Sequence, residues 1–270
     1  MIGQTQLLEK IDKILDSYPK FSIIVGAKGS GKKTIVKHIC NKLRLPIVNF
    51  GTSIEDVRKV IDLSYEQTEP ICYVCADADA MSLGAKNCLL KITEEPPHKA
   101  YFILTLQSLS NTLETIQSRG TVLNLDPYST TELKQSTTYR DYPMKYDKIV
   151  EDICSTTGEV DELFKCDVDK FYKFAQTIAN QIHIPNTGNI FKISKQIKAK
   201  EDDVAYDSIL LFKAVRLLFL QNALKTKKPQ YLKASQVTSE YLRQLNITNL
   251  NKVATVDSWI MDVRSVLRGV

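Results

Sequence analysis

The chain has 270 residues, with 36 Lys and Arg against 31 Asp and Glu for a net charge of +5, and is 43% apolar and 25% charged. That balance excludes a disordered, collagen-like or membrane-core chain and leaves a globular one, long enough for about two domains with a core in each. So small a positive surplus permits contact with nucleic acid without requiring it.

The opening Met1-Ile-Gly-Gln-Thr-Gln has neither the basic flank nor the apolar run of a signal peptide. The most apolar stretch, 209–224, is interrupted by Lys213 and Arg216, so no membrane association and a cytoplasmic location are expected. Leu7, Leu8, Ile11, Ile14 and Leu15 recur at helical spacing, and 21–25 is a short apolar run ending at glycine, so the chain begins helix then strand. A helix from about Lys32 makes this a βα unit. The alternation continues with strands at 46–50, 71–75 and 101–106 and helices at 54–65 and 83–94, the last stopped by Pro96-Pro97. Such alternation predicts a mostly parallel sheet with helices on both faces.

After the run Val122-Leu-Asn-Leu-Asp-Pro127 the apolar residues fall at three- and four-residue spacings, which predicts helices for the remainder. Segments 149–154, 160–164 and 171–182 form one helical group. Pro185-Asn-Thr-Gly188 is a break before a second group at 190–197, 206–224, 231–245 and 256–267.

Six cysteines (Cys40, Cys72, Cys75, Cys88, Cys154 and Cys166) stand singly or inside apolar runs, which in a reducing compartment favours buried thiols. Cys72 and Cys75 spell a CxxC, but no second pair completes a zinc set and the pair lies within a strand-like run, so no metal site is expected there.

Gly26-Ala-Lys-Gly-Ser-Gly-Lys32 fits GxxxxGK between an apolar strand and a helix, the setting that gives this motif its chemistry. Its glycines let backbone N–H groups face phosphate oxygens, the helix amino end adds partial positive charge, and Lys32 adds a full one. Gly26, Lys28, Gly29, Ser30, Gly31, Lys32, Lys33 and Thr34 are thus the nucleotide-binding candidates. The position after Lys32 should carry the hydroxyl that binds magnesium, but it is Lys33, and Thr34 is rotated by about 100° from the required direction. An acidic motif is expected at the end of the 71–75 strand. Ala76 occupies the metal-holding place, with Asp77 and Asp79 beyond it. These aspartates read either as remnants of catalysis or, more simply, as caps of a helix starting near Met81 or Ser82.

The order of motifs, Ile2-Gly3-Gln4, then Ala85-Lys-Asn-Cys-Leu-Leu-Lys-Ile-Thr-Glu-Glu-Pro-Pro97, then Tyr101-Phe-Ile-Leu-Thr105, then Thr115-Ile-Gln-Ser-Arg-Gly120, resembles the clamp-loader branch of the AAA+ ATPases. Within that branch it is most similar to delta-prime-type subunits of the bacterial DNA polymerase III clamp loader. The resemblance covers about residues 1–125 by motif; beyond that only length and general pattern agree. It implies an α/β AAA+ core with a parallel sheet at 1–127, a small helical lid at 128–184, and an all-α collar at 185–270 that joins subunits.

By the same resemblance Ser118 and Arg119 belong to a motif whose arginine reaches a phosphate held by a neighbouring subunit, where a guanidinium meets developing charge. The departures from the family pattern fall in the subunit's own site: Lys33, Ala76, Gly120 for a cysteine, apolar Leu106 where a polar sensor is common, and Asp161 for the arginine of the lid's Gly-x-x-Arg turn. The resemblance therefore implies a non-hydrolysing subunit of a hetero-oligomer, working with a sliding clamp and primer–template DNA. ATP would be held without turnover, magnesium would be poorly held, and zinc would be absent.

Two other readings stay open. One is an active AAA+ ATPase using Thr34 and Asp77; the other is a nucleotide-binding adaptor outside the replisome. The lysine clusters Lys192, Lys195, Lys198 and Lys200, and Lys225, Lys227 and Lys228, read as solvated faces, because no aromatics interleave them.

Overall fold

The computed structural model describes residues 3–136, 139, 141–182, 184, 206–245 and 252–269. Two compact units divide it. The first takes the chain up to Glu132 together with Thr156–Gly158, and the second takes Leu133–Ser155 and the described residues from Glu159 on.

In the first unit five parallel strands, β1 (Phe21–Val25), β2 (Ile47–Asn49), β3 (Ile71–Cys75), β4 (Ala100–Leu106) and β5 (Thr121–Asn124), stand in the order β2-β3-β4-β1-β5. Helices α1 (Thr5–Ile14), α2 (Lys32–Leu43), α3 (Ile54–Tyr65), α4 (Leu83–Glu94) and α5 (Glu114–Gln117) connect them. The strands alternate side chains between two cores, as a period of two requires. Phe21, Ile23, Tyr73, Cys75, Phe102 and Leu104 meet the buried residues of α3, α4 and α5 on one face. Ile24, Cys72, Val74, Ile103 and Leu123 meet α1 and α2 on the other. Cys72 and Cys75, three apart on a strand, thus lie in different cores and do not converge on one metal.

Serine hydroxyls start two of the helices: Ser53 accepts from the Asp56 N–H at α3, and Ser82 from the Ala85 N–H at α4. Such caps satisfy a backbone donor that has no partner inside the helix. The cap of α4 is therefore Ser82, and neither Asp77 nor Asp79 serves there.

The described part of the second unit is helical. It holds most of α6 (Thr130–Lys134) and α8 (Thr157–Leu163), and all of α7 (Asp147–Ile153), α9 (Val168–Gln181), α10 (Ser208–Thr226), α11 (Pro229–Leu245) and α12 (Lys252–Arg268). Asp207 caps α10 by accepting from the Ile209 and Leu210 N–H groups. That helix is apolar on more than one face, as suits a helix packed among others, with Ile209–Phe212, Ala214, Val215, Leu218 and Phe219 buried. Phe212 meets the Trp259 ring at 4.1 Å between centroids, and the buried indole N–H donates to Thr238 Oγ1 at 3.1 Å. Lys213 pairs with Glu159, which also accepts from the Ser155 backbone N–H and hydroxyl.

The expected break at 185–188, the helix at 190–197, the cluster Lys192, Lys195, Lys198 and Lys200, and the start of the collar at residue 185 lie outside the described residues, as does Ile2. Lys225, Lys227 and Lys228 are exposed at the end of α10. Among the described residues no helix is long and apolar enough to cross a membrane.

Candidate functional site: the phosphate loop and the arginine edge

The loop after β1 is anchored by the Gly26 N–H donating to Leu106 O at 3.0 Å. Gly29 and Gly31 adopt φ of 79° and 92°, a left-handed backbone that favours glycine. No side chain caps α2, so its first amide groups are left for an anion. Lys32 is buried, and its Nζ donates to Gly26 O at 2.6 Å and Ala27 O at 3.0 Å. Burial lowers the ammonium's pKa, and the charges of Asp77 and Asp79 partly oppose that shift.

Three contacts that the sequence did not announce brace the loop from its oxygen side. Tyr128 Oη donates to Ser30 O at 2.9 Å, Thr156 Oγ1 to Lys28 O at 3.2 Å, and the Gly158 N–H to Gly29 O at 3.0 Å. Every carbonyl from Gly26 to Ser30 therefore accepts a hydrogen bond within the chain. The Ser30 hydroxyl is buried without a partner beside them.

These features fit a phosphate: an uncapped helix start, an amine held by exchangeable carbonyl bonds, and an orphan hydroxyl. They do not fit a magnesium shell. Lys33 and Thr34 are both exposed on the first turn of α2, and Ala76 offers no oxygen from its side chain. Asp79 is committed elsewhere: its carboxylate accepts from the Gln107 N–H at 2.8 and 3.0 Å, from the Ser108 N–H at 3.4 Å and from Asn111 Nδ2 at 2.9 Å. It is thus a staple for the loop after β4, which corrects the helix-cap reading. Asp77 is exposed at a φ of 58°, and its N–H donates to the buried Thr105 hydroxyl at 3.1 Å. Thr105 therefore supplies a polar contact beside the acidic motif, one position before the apolar Leu106.

The Gln4 amide is also used internally, donating to Asp126 O at 2.7 Å and accepting from the Asp126 N–H at 2.9 Å. This two-way pairing ties the opening motif to the end of β5.

Ser118 and Arg119 lie at the other end of the sheet. They immediately precede β5, whose Thr121 is level with Ser22 near the start of β1, whereas the phosphate loop follows Val25 at its end. At about 3.3 Å per residue, the length of β1 separates them by roughly 10 Å or more. Arg119 is exposed at the end of α5. Its Nη1 donates to Thr115 O at 2.8 Å and its Nη2 lies 3.0 Å from Glu94 Oε1. Ser118 Oγ donates to the same carbonyl at 3.1 Å. Gly120 is explained by packing, since a Cβ there would lie 2.8 Å from the Phe21 ring.

The strand order, the glycine loop between β1 and α2 and the helical second unit give the chain the fold of AAA+ P-loop proteins. Residues 50–129 match a family model described as DNA polymerase III, delta subunit; this segment begins after the phosphate loop and ends beyond β5. One similar solved structure is a DNA polymerase III gamma subunit-related protein of Thermotoga maritima, at 16% identity and a TM-score of 0.52, covering 97% of this chain and 100% of that one. Another is the RuvB Holliday junction branch migration motor of Thermotoga maritima, at 15% identity and a TM-score of 0.51, covering 78% of this chain and 87% of that one. A search of curated proteins gives no match. The chain thus shares the AAA+ fold of these proteins, and its residues 50–129 are similar to the DNA polymerase III delta subunit family.

Proposed function

We propose that this chain is a non-hydrolysing clamp-loader subunit of the delta-prime type, which supplies Arg119 to a phosphate bound by a neighbouring ATPase subunit. The observation that carries this reading is the position of Arg119 at the amino-terminal edge of the sheet, across the fold from its own phosphate loop. Ligands of open parallel sheets bind at the carboxyl ends of the strands, so Arg119 is badly placed for a nucleotide of its own subunit and better placed for another's. The state of the loop supports the rest. Lys32 and the uncapped start of α2 suit ATP phosphates, while Lys33, Ala76 and the commitment of Asp79 leave hydrolysis without its metal ligands. ATP is thus bound without turnover, and the partners are the other subunits of a hetero-oligomer, a sliding clamp and primer–template DNA in the cytoplasm.

The test is the DNA-stimulated ATPase of the complex recovered through this chain, wild type beside Arg119→Ala at equal assembly. A supplied arginine of this kind contributes about 10³–10⁵ in rate, so a large loss is expected. An unchanged rate in an intact complex refutes the proposal, and turnover by the isolated chain favours an ATPase acting through Thr34 and Asp77.

A further inference from the structure

The guanidinium proposed to act on a neighbour is not extended in this structure. It is folded back along its own short helix, with Nη1 on Thr115 O, four residues earlier, and Nη2 on Glu94 at the end of α4. A side chain so folded spends two of its five N–H donors on its own chain. To meet a phosphate across an interface it must give up at least the carboxylate. We propose that Glu94 is a parking partner for Arg119, an intramolecular contact that holds the arginine back until a neighbour's phosphate outcompetes it. This inference rests on the proposed role of Arg119 and concerns the regulation of that same residue.

Three observations make the contact suited to exchange. Both side chains are partly open to solvent, at 36% for Arg119 and 55% for Glu94, so the pair is weak and screened. Glu94 stands in the last turn of its helix, where the dipole is unfavourable to a carboxylate, and no second cation is paired with it among the described ion pairs. The Thr115 carbonyl lies in the last turn of α5, so it is an acceptor the arginine can leave without breaking a helix bond. A polyphosphate carries more charge than one carboxylate and more acceptors for the guanidinium fork, so the exchange runs toward the neighbour once its nucleotide is in reach.

The experiment uses the whole complex and compares wild type, Glu94→Ala, Arg119→Ala and the double variant. Steady-state ATP hydrolysis is measured with and without primed DNA. Glu94→Ala is expected to raise the DNA-free rate about two- to fivefold, the range spanned by exposed ion pairs, with no rise when Arg119 is also absent. A lower rate in Glu94→Ala would make Glu94 a positioning residue and overturn parking, and an unchanged rate overturns it as well. If Arg119→Ala retains the wild-type rate, the functional reading falls and parking with it. If Arg119→Ala is impaired while Glu94→Ala is not accelerated, parking alone falls.

Discussion

Removing the Asp79 carboxylate tests whether it is a structural staple or part of a nucleotide site. In Asp79→Ala the Gln107 and Ser108 N–H groups and the Asn111 amide lose their acceptor. A hydrogen bond to a charged group contributes about 1.5–3 kcal/mol net, and less where water substitutes. Ser108 and Asn111 are exposed and rehydrate, so the Gln107 N–H, bonded at 2.8 Å, dominates the loss, and the whole change is about 2 kcal/mol. That corresponds to a fall in Tm of roughly 4–8 °C for a chain of this size. Asp79→Asn keeps one acceptor oxygen and should lose about half as much. Circular dichroism melts and urea midpoints read the effect, with nucleotide binding to the isolated chain measured alongside. The staple reading is refuted if Asp79→Ala melts with wild type yet no longer binds nucleotide.

Placing a cysteine at position 120 should destabilise this chain, because a Cβ meets the Phe21 ring at 2.8 Å and Ile23 Cδ1 at 3.0 Å. Gly120→Cys is expected to cost about 1–3 kcal/mol in urea denaturation, with recovery on adding Phe21→Leu; equal loss in both variants would disprove the clash. Gly158→Ala places its methyl 2.6 Å from the backbone Cα of Gly29, so about 1–3 kcal/mol is again expected, together with faster amide exchange in the phosphate loop. A loop unaffected by that change would mean that residue 158 does not brace it. Burial pushes the thiols of Cys75 and Cys154 up to about 12, so near neutral pH they are protonated, and their reactivity rises only as the pH approaches that value. In native protein at about pH 8 a disulfide reagent should modify the half-buried Cys88 well before either, and equal rates would contradict the burial.

Much of the first unit was legible because its patterns are local. The apolar runs at 21–25 and 71–75 and the helical spacings at 54–65 and 83–94 coincide with β1, β3, α3 and α4. The CxxC could also be dismissed from a period of two, which sends residues three apart to opposite faces. The site was less legible because its decisive contacts are remote in sequence. Asp79 reaches Gln107 across 28 residues, and Thr156 reaches Lys28 across 128. Capping rules speak to residues within one helical turn, so they offered α4 as the partner of Asp79 and missed the loop after β4. Tyr128 gave no signal, because a lone tyrosine after a strand has no spacing rule that would point its hydroxyl at a carbonyl 98 residues earlier.

The first unit is not one stretch of chain, since Thr156–Gly158 belongs to it while the residues on either side do not. During synthesis from the amino terminus the sheet can therefore assemble as soon as β5 has emerged, but the phosphate loop has to wait. Its brace at Gly29 arrives only after α7 has been made, so a nascent chain halted near residue 132 would carry a complete sheet and an unfinished loop. Expressed as a fragment ending there, the same sequence would offer the glycine motif with two of its carbonyls unpartnered.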